Sequence, residues 1–148
     1  MRKHFISHGP DETKKIGAEI GRLLRPGDVV GLYGELGAGK TTLIKGIASV
    51  LGLNEREIAS ASFTIIAEYE TVPPLAHIDL YRVENQTELD ELGLWEYLGG
   101  DCITVVEWAE RAAALLPEDL IKITLEYSGE NSREIVIEGN YEKHRDNL

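Results

Sequence analysis

The chain has 148 residues and a formal net charge of −11, and 43% of its residues are hydrophobic. This length suits one compact domain, and no apolar run approaches the roughly 20 residues that a membrane-spanning helix needs. Because a surface this acidic repels polyanions, extensive direct binding of nucleic acid is disfavoured.

The acidic residues are unevenly distributed along the chain. Between residues 57 and 110 the sequence has twelve Asp or Glu residues and one basic residue, Arg82. We interpret this region as a solvated face that keeps the protein soluble, with a docking surface for a basic protein as the alternative.

The N-terminus and the cysteine content bear on cellular location. Residues 1–8 are basic, but they lack the apolar segment and the small-residue cleavage site of a signal peptide. The single cysteine, Cys102, cannot form an internal disulfide. We therefore expect a cytoplasmic protein that does not enter a membrane.

The first third of the chain predicts a strand, a helix, a second strand, a loop and a second helix. Residues 4–7 indicate a short edge strand, and Pro10 followed by two acids indicates the start of a helix. Residues 29–33 form an apolar run typical of a buried parallel strand, and a glycine-rich turn follows at once. The apolar residues at helical spacing are Ile16, Ile20, Leu23 and Leu24 in the first helix, and Leu43, Ile47, Val50 and Leu51 in the second.

The remainder of the chain predicts further strands and short helices. Strands are expected at residues 63–69, 75–78 and 103–106, with a short or broken helix near 89–98 that Gly93 interrupts. An alanine-rich helix is expected from about residue 109 to Pro117. Alternating apolar residues over 121–127, followed by a turn into residues 133–138, predict an antiparallel hairpin. Residues 139–148 are polar, and we expect them to fray.

The turn after the second strand carries the clearest motif. Residues 34–41 match G-x-x-x-x-G-K-[ST] in full, between a predicted strand and a predicted helix. Such a loop wraps so that its N–H groups converge on an anion, and the helix N-terminus adds a positive dipole. We expect Lys40 to reach the β and γ phosphates of a nucleotide and the Thr41 hydroxyl to coordinate Mg²⁺. The predicted nucleotide-binding residues here are Gly34, Glu35, Leu36, Gly37, Ala38, Gly39, Lys40, Thr41 and Thr42.

The motif and the element order together predict the fold class. We expect an α/β fold of the P-loop NTPase type, a three-layer sandwich in a single domain of residues 1–148. Its central sheet should be mostly parallel, with the antiparallel hairpin at its C-terminal end.

Two acidic residues at strand ends are candidates for the metal site and for catalysis. Asp79 and Glu107 each follow a predicted strand, and ligands in open α/β sheets gather at the carboxyl ends of strands. Nucleotide hydrolysis needs an acidic metal ligand and a group that orients the attacking water. The sequence does not divide these roles between the two residues, and either could also be a surface acid.

Motifs absent from the sequence narrow the class of nucleotide and enzyme. No Asn-Lys-x-Asp tetrapeptide that would read guanine occurs, which favours adenine, and no Leu-Ser-Gly-Gly signature of transporter ATPases occurs. A small-molecule kinase remains an alternative, with Arg82 and Arg111 as its candidate arginines. A nucleotide-sensing module that hydrolyses very slowly is a third possibility.

Five ordered blocks beside the loop resemble the TsaE family, the bacterial ATPase subunit of the machinery that makes threonylcarbamoyladenosine in tRNA. The blocks are residues 60–64, Glu68-Tyr69, residues 77–82, Glu91-Leu92-Gly93, and Val106-Glu107-Trp108 followed by Glu110-Arg111. The family usually has Ser-Pro-Thr-Phe-Thr where this chain has Ser-Ala-Ser-Phe-Thr, so that alanine and serine replace proline and threonine.

The resemblance implies an activity, partners and residue roles. It implies an ATPase, weak alone and dependent on Mg²⁺, that works with the threonylcarbamoyl-transferase subunit (TsaD-like) and its non-catalytic paralogue (TsaB-like). That complex modifies adenosine 37 of tRNAs reading codons that begin with A, so this chain would meet tRNA only indirectly. By resemblance, Ser62 acts as a switch near the γ phosphate, Asp79 lies in the metal shell, Glu107 supports magnesium binding and hydrolysis, and Trp108 lies beside the site.

Overall fold

The computed structural model describes residues 2–35, 37–60 and 65–139, and a single sheet forms the centre of this part of the chain. Its seven described strands lie in the spatial order β1-β7-β6-β2-β5-β4-β3. Their bounds are β1 Arg2–Ser7, β2 Val29–Tyr33, β3 Ile66–Tyr69, β4 Leu75–Asp79, β5 Ile103–Glu107, β6 Ile121–Tyr127 and β7 Arg133–Glu138.

The middle of the sheet is parallel and its outer strands are antiparallel. Strands β6, β2, β5 and β4 run parallel to one another. Strand β3 joins one side of this group antiparallel, while β7 and then β1 join the other side antiparallel. The predicted parallel centre and the predicted C-terminal hairpin are both confirmed.

Helices cover both faces of the sheet. The described helices are α1 (Pro10–Leu23), α2 (Lys40–Ser49), α3 (Glu55–Ser60) and α4 (Gln86–Glu91), with 3₁₀ helices at Leu94–Glu96 and Ala109–Leu115. Helices α1, α2 and α3 pack on the face that carries Val30 and Val105. Helix α4 and both 3₁₀ helices pack on the opposite face, against Val29 and Val106. The result is the predicted three-layer sandwich. None of these helices is both long and apolar enough to cross a bilayer.

Helices α1 and α2 cross with their backbones in contact at two glycines. A Cβ atom on Gly46 would lie 2.2 Å from the carbonyl oxygen of Lys14. A Cβ atom on Gly17 would lie 2.3 Å from the carbonyl oxygen of Leu43. Real Cβ atoms do not approach backbone this closely, so the crossing requires glycine on both helices. This contact fixes the position of α2, whose first residue is Lys40.

Two elements differ from the sequence-based prediction. Helix α3 was not predicted, because one buried apolar residue, Ile58, does not make a periodic pattern. The signal that could have found it is a capping box, in which Asn54 and Glu57 exchange hydrogen bonds of 2.9 and 3.0 Å between side chain and backbone.

The predicted alanine-rich helix was also wrong in type. Residues 109–115 form a 3₁₀ helix that is kinked at Ala112, where φ is −122°. Ala109 and Ala112 are fully buried against the sheet, and this packing overrides the helix propensity of alanine. The predicted strand over 63–69 begins at Ile66 within the described residues, and the fraying predicted for the tail concerns residues beyond Gly139, which lie outside them.

Candidate functional site

The loop between β2 and α2 closes against strand β6. Gly34 has a φ of +149°, and a Cβ atom there would lie 2.5 Å from the carbonyl oxygen of Leu125. Only glycine combines this backbone conformation with so close an approach. The loop ends at Gly39, and α2 begins at the next residue. The free N–H groups at the N-terminus of α2 therefore lie at the loop. Leu36 lies outside the described residues.

Lys40 is the buried cation of this loop. Its side chain is almost fully covered, its Nζ donates a hydrogen bond of 2.6 Å to the carbonyl oxygen of Gly34, and its Nζ lies 3.7 Å from the centroid of the Trp108 ring. Burial lowers the pKa of this ammonium, while the nearby Glu107 opposes the shift. The positive charge of Lys40 is only partly balanced by acidic groups of the protein, so an anion that binds here would gain a charged hydrogen-bond donor.

Asp79 and Glu107 stand side by side at the carboxyl ends of β4 and β5. The two residues are direct register partners in the parallel pair. Since side chains alternate along a strand, both belong to the face that carries α2, the same face as Val105. They line a cavity of about 260 Å³ together with the loop, and its lining residues are Gly37, Gly39, Lys40, Thr41, Thr42, Asp79, Tyr81, Glu107 and Trp108.

The two carboxylates are held differently. Oδ1 of Asp79 accepts a hydrogen bond of 3.0 Å from the backbone N–H of Tyr81. Burial raises the pKa of Asp79, and the nearby Glu107 raises it further, against that hydrogen bond and the charges of His77 and Lys40. Glu107 is only 5% exposed, and its Oε2 lies 2.7 Å from Nε2 of His77.

The cavity fits a divalent cation by the chemistry of its donors. The hydroxyl of Thr41 and the carboxylates of Asp79 and Glu107 are all oxygen ligands, the kind that Mg²⁺ prefers. Burial disfavours the ionised form of Asp79 and raises its pKa, and a cation in the cavity would compensate that charge. These three residues would hold the metal, with phosphate oxygens and waters completing its shell.

A stack of side chains forms one wall of the cavity. The rings of Tyr81 and Trp108 lie 5.2 Å apart between centroids, and the guanidinium of Arg111 lies over both rings. Trp108 itself has a left-handed backbone with a φ of 58°. Nη1 of Arg111 donates to the carbonyl oxygens of Leu80, Tyr81 and Val83. Arg111 therefore fixes the segment that follows Asp79.

We expect Arg111→Met to lower the free energy of unfolding by about 1–3 kcal/mol, because three carbonyls lose a charged donor. Thermal or urea denaturation measures this change. Arg25→Met is the matched control, since within the described part of the chain the Arg25 guanidinium bonds only carbonyls within three residues of itself. Its expected cost is at most about 0.5 kcal/mol. Equal losses in the two variants would show that the long-range contacts of Arg111 contribute nothing.

A second cavity of about 520 Å³ adjoins the first at the loop. It shares Gly37, Gly39 and Thr42 with the first, and its further lining residues are His8, Gly9, Pro10, Thr13, Glu130, Asn131 and Arg133. Strand β6 holds the loop between the two cavities, because the hydroxyl of Tyr127 donates a hydrogen bond of 2.8 Å to the carbonyl oxygen of Gly37. The guanidinium of Arg133 lies 3.9 Å from the centroid of the Tyr127 ring.

Most of the residues singled out from the sequence meet at this place. Lys40, Thr41, Thr42, Asp79, Glu107 and Trp108 line one cavity, whereas Ser62 and Leu36 lie outside the described residues and their roles stay predictions. Sequence reasoning missed the contacts of His77, Arg111 and Tyr127 with site residues. For His77 a signal existed, since it lies two residues before Asp79 and so shares its strand face.

Comparisons with known proteins agree on one family. Residues 7–135 match the profile of the family described as threonylcarbamoyl adenosine biosynthesis protein TsaE. The tRNA threonylcarbamoyladenosine biosynthesis protein TsaE of Bacillus subtilis (strain 168) is 45% identical over 127 residues, which are 85% of this chain and 78% of that protein. The protein of the same name from Treponema pallidum (strain Nichols) is 39% identical over 132 residues, 89% of this chain and 97% of that protein.

A solved structure gives the same result for the fold. The crystal structure of Bacillus subtilis YdiB matches with a TM-score of 0.83 and 36% identity, over 99% of this chain and 93% of that one. The predicted α/β class is confirmed by this match. Because the family profile covers most of the chain, including the loop and both carboxylates, the chain belongs to the TsaE family of threonylcarbamoyl adenosine biosynthesis proteins.

Proposed function

We propose that this protein binds ATP with Mg²⁺ and hydrolyses it in the service of tRNA threonylcarbamoyladenosine synthesis. The observation that carries the proposal is the meeting of Lys40, Thr41, Asp79 and Glu107 in one cavity at the N-terminus of α2. A loop of this kind binds phosphate, and the adjacent oxygen ligands suit the metal that accompanies a nucleoside triphosphate.

Each of these residues has a distinct task in the proposed reaction. The N–H groups at the start of α2 and the ammonium of Lys40 bind the β and γ phosphates, and Lys40 gives up its contact with Gly34 to do so. Thr41, Asp79 and Glu107 would hold the metal, and Glu107 would also place the attacking water. When bound, Mg²⁺ neutralises the charge on the transferred phosphoryl group.

The nucleoside end of ATP occupies the second cavity in this proposal. Asp79 and Glu107 line the first cavity and not the second, which supports placing the γ phosphate and the metal on that side. The two cavities meet at Gly37, Gly39 and Thr42, so a nucleotide that crosses the loop there extends into the larger space. Adenine is favoured as the base, because the sequence has no guanine-reading motif.

The names of the relatives indicate the pathway that this activity would serve. Its curated relatives in Bacillus subtilis and Treponema pallidum are named for tRNA threonylcarbamoyladenosine biosynthesis. We propose that this chain associates in the cytoplasm with a transferase subunit and its non-catalytic paralogue, whose product lies at position 37 of tRNAs reading codons that begin with A. The net charge of −11 supports indirect rather than direct contact with tRNA. Ser62 is proposed as the switch that responds to the γ phosphate.

The test follows γ-labelled ATP with the protein alone and with both partner subunits. We expect slow release of inorganic phosphate alone and faster release in the complex, with Glu107→Gln losing the stimulated rate. Glu118→Gln is the matched control, because it makes the same change at an exposed position away from the cavity. A rate that the partners leave unchanged, with no co-purification, would contradict the proposal. Label transferred to a metabolite would identify a small-molecule kinase instead.

A further inference from the structure

His77 is a buried polar residue in the middle of β4, between the apolar residues Ala76 and Ile78. Within β4 the residues Leu75, His77 and Asp79 share one face, and His77 is only 7% exposed. Leu75 at the start of this face belongs to the hydrophobic core under α2. Placing an imidazole there costs free energy unless its nitrogens are hydrogen-bonded, so its partner is informative.

That partner is the carboxylate of Glu107 on the neighbouring strand. Nε2 of His77 lies 2.7 Å from Oε2 of Glu107, and the side chains are 8% and 7% exposed. In the parallel register His77 pairs with Val105 and Asp79 pairs with Glu107, so the contact is diagonal across the two strands. The ammonium of Lys40 donates its hydrogen bond to the carbonyl oxygen of Gly34 and not to Glu107. The described hydrogen bond of the Glu107 carboxylate is therefore the one with His77.

We propose that His77 is a positioning residue that holds the carboxylate of Glu107 toward the metal and the γ phosphate. A glutamate side chain has three rotatable bonds, and a second residue that fixes one oxygen leaves the other aimed in one direction. The inference rests on the proposed function, because the orientation of Glu107 matters only if metal and nucleotide bind in this cavity.

The geometry also specifies which nitrogen acts. A carboxylate only accepts hydrogen bonds, so Nε2 of His77 must carry a proton. Substitution by two different amide side chains can distinguish the role of Nε2 from that of Nδ1. Glutamine places its amide near the position of Nε2, whereas asparagine is shorter and places its amide near the position of Nδ1. His77→Gln should therefore keep the contact with Glu107, and His77→Asn should lose it.

The experiment measures metal affinity and turnover in these variants of the full chain. Mn²⁺ binding to the complex with a non-hydrolysable ATP analogue is followed by electron paramagnetic resonance, and kcat and KM for ATP are measured with the partner subunits. We expect His77→Leu and His77→Asn to lose about 10–100-fold in Mn²⁺ affinity or kcat, the usual cost of removing such a support. KM for ATP and nucleotide affinity without metal should change by less than about twofold, because Lys40 and the loop are untouched. His77→Gln should recover most of the loss.

Two controls separate positioning from simple destabilisation. Leu75→Ala truncates a buried side chain on the same strand face without touching Glu107, so it should lower stability and leave Mn²⁺ affinity intact. In a Glu107→Gln background, His77→Asn should have almost no further effect, because the group it supports has gone. Should His77→Leu fail to fold, the smaller polar variants carry the comparison.

The outcomes that overturn the inference are distinct from those that overturn the function. If wild type binds Mn²⁺ with the nucleotide, and His77→Asn binds it equally well and keeps the wild-type kcat, His77 has only a structural role and the inference fails. Equal losses in His77→Gln and His77→Asn would also overturn it. If wild type shows no nucleotide-dependent Mn²⁺ binding, the proposed function itself fails, and the inference fails with it.

Discussion

Lys40→Ala is expected to reduce stimulated phosphate release by about 10²–10³-fold, the range found when one preorganised donor to a developing charge is removed. The reason is that Lys40 is a buried ammonium whose only described hydrogen bond, to the carbonyl of Gly34, can be exchanged for a phosphate oxygen. Release of inorganic phosphate in the presence of the partner subunits measures the effect. ATP affinity, measured by calorimetry, should fall as well.

Lys45→Ala is the matched control for Lys40→Ala. Lys45 belongs to the same helix, is only partly buried and lies beside Glu55, away from both carboxylates of the cavity. Its removal should leave turnover within about twofold. Comparable losses in the two variants would mean that the helix, rather than the ammonium at its first turn, determines activity. Thermal denaturation of both proteins would then show whether unfolding is the cause.

Gly46→Ala is expected to destabilise the protein by at least about 1–3 kcal/mol, the cost of adding a methyl group to a closely packed site. The added Cβ would lie 2.2 Å from a backbone oxygen of α1, and backbone cannot move aside as a flexible side chain can. For a domain of this size each kcal/mol lowers the unfolding midpoint by roughly 2–4 °C. Calorimetry measures the shift, and ATP with Mg²⁺ should restore less stability than in wild type, because α2 also presents the phosphate site.

Gly9→Ala serves as the control for this second substitution. Apart from its chain neighbours, Gly9 has no heavy atom within 4 Å of the place where a Cβ would lie, and its extended φ of 172° is one that any residue adopts. Its midpoint should stay within about 2 °C of wild type, in line with surface substitutions of small effect. If Gly46→Ala matched Gly9→Ala, the two helices would have room to separate and the close crossing would not define the position of α2.

The strand, loop and helix around Lys40 could be predicted because local signals agree there. The apolar run 29–33, the glycine pattern and the helical spacing from Leu43 all point to the same elements, and β2 and α2 have nearly the predicted bounds. Where local signals conflict with packing, the prediction was wrong. Residues 109–115 have the composition of an ordinary helix, yet two buried alanines and the long-range bonds of Arg111 hold them in a tighter, kinked form.

The candidate site could be predicted only in part. The carboxyl ends of parallel strands meet at one edge, which was enough to select Asp79 and Glu107. Their side-by-side position and the contact of Glu107 with His77 depend on the register between β4 and β5. No local sequence pattern encodes that register. The hydroxyl of Tyr127 reaches the loop only because β6 lies next to β2 in the sheet.

The hydrogen bond from Tyr127 to Gly37 has a consequence for how the protein is made. The two residues are 90 positions apart, and the carbonyl of Leu125 that covers Gly34 lies on the same late strand. Synthesis proceeds from the N-terminus, so a nascent chain exposes its glycine-rich loop well before β6 has left the ribosome. The contacts from Tyr127 and Leu125 therefore cannot form until β6 has been made, and a chain cut short before residue 125 would carry the complete motif without the strand that shapes it.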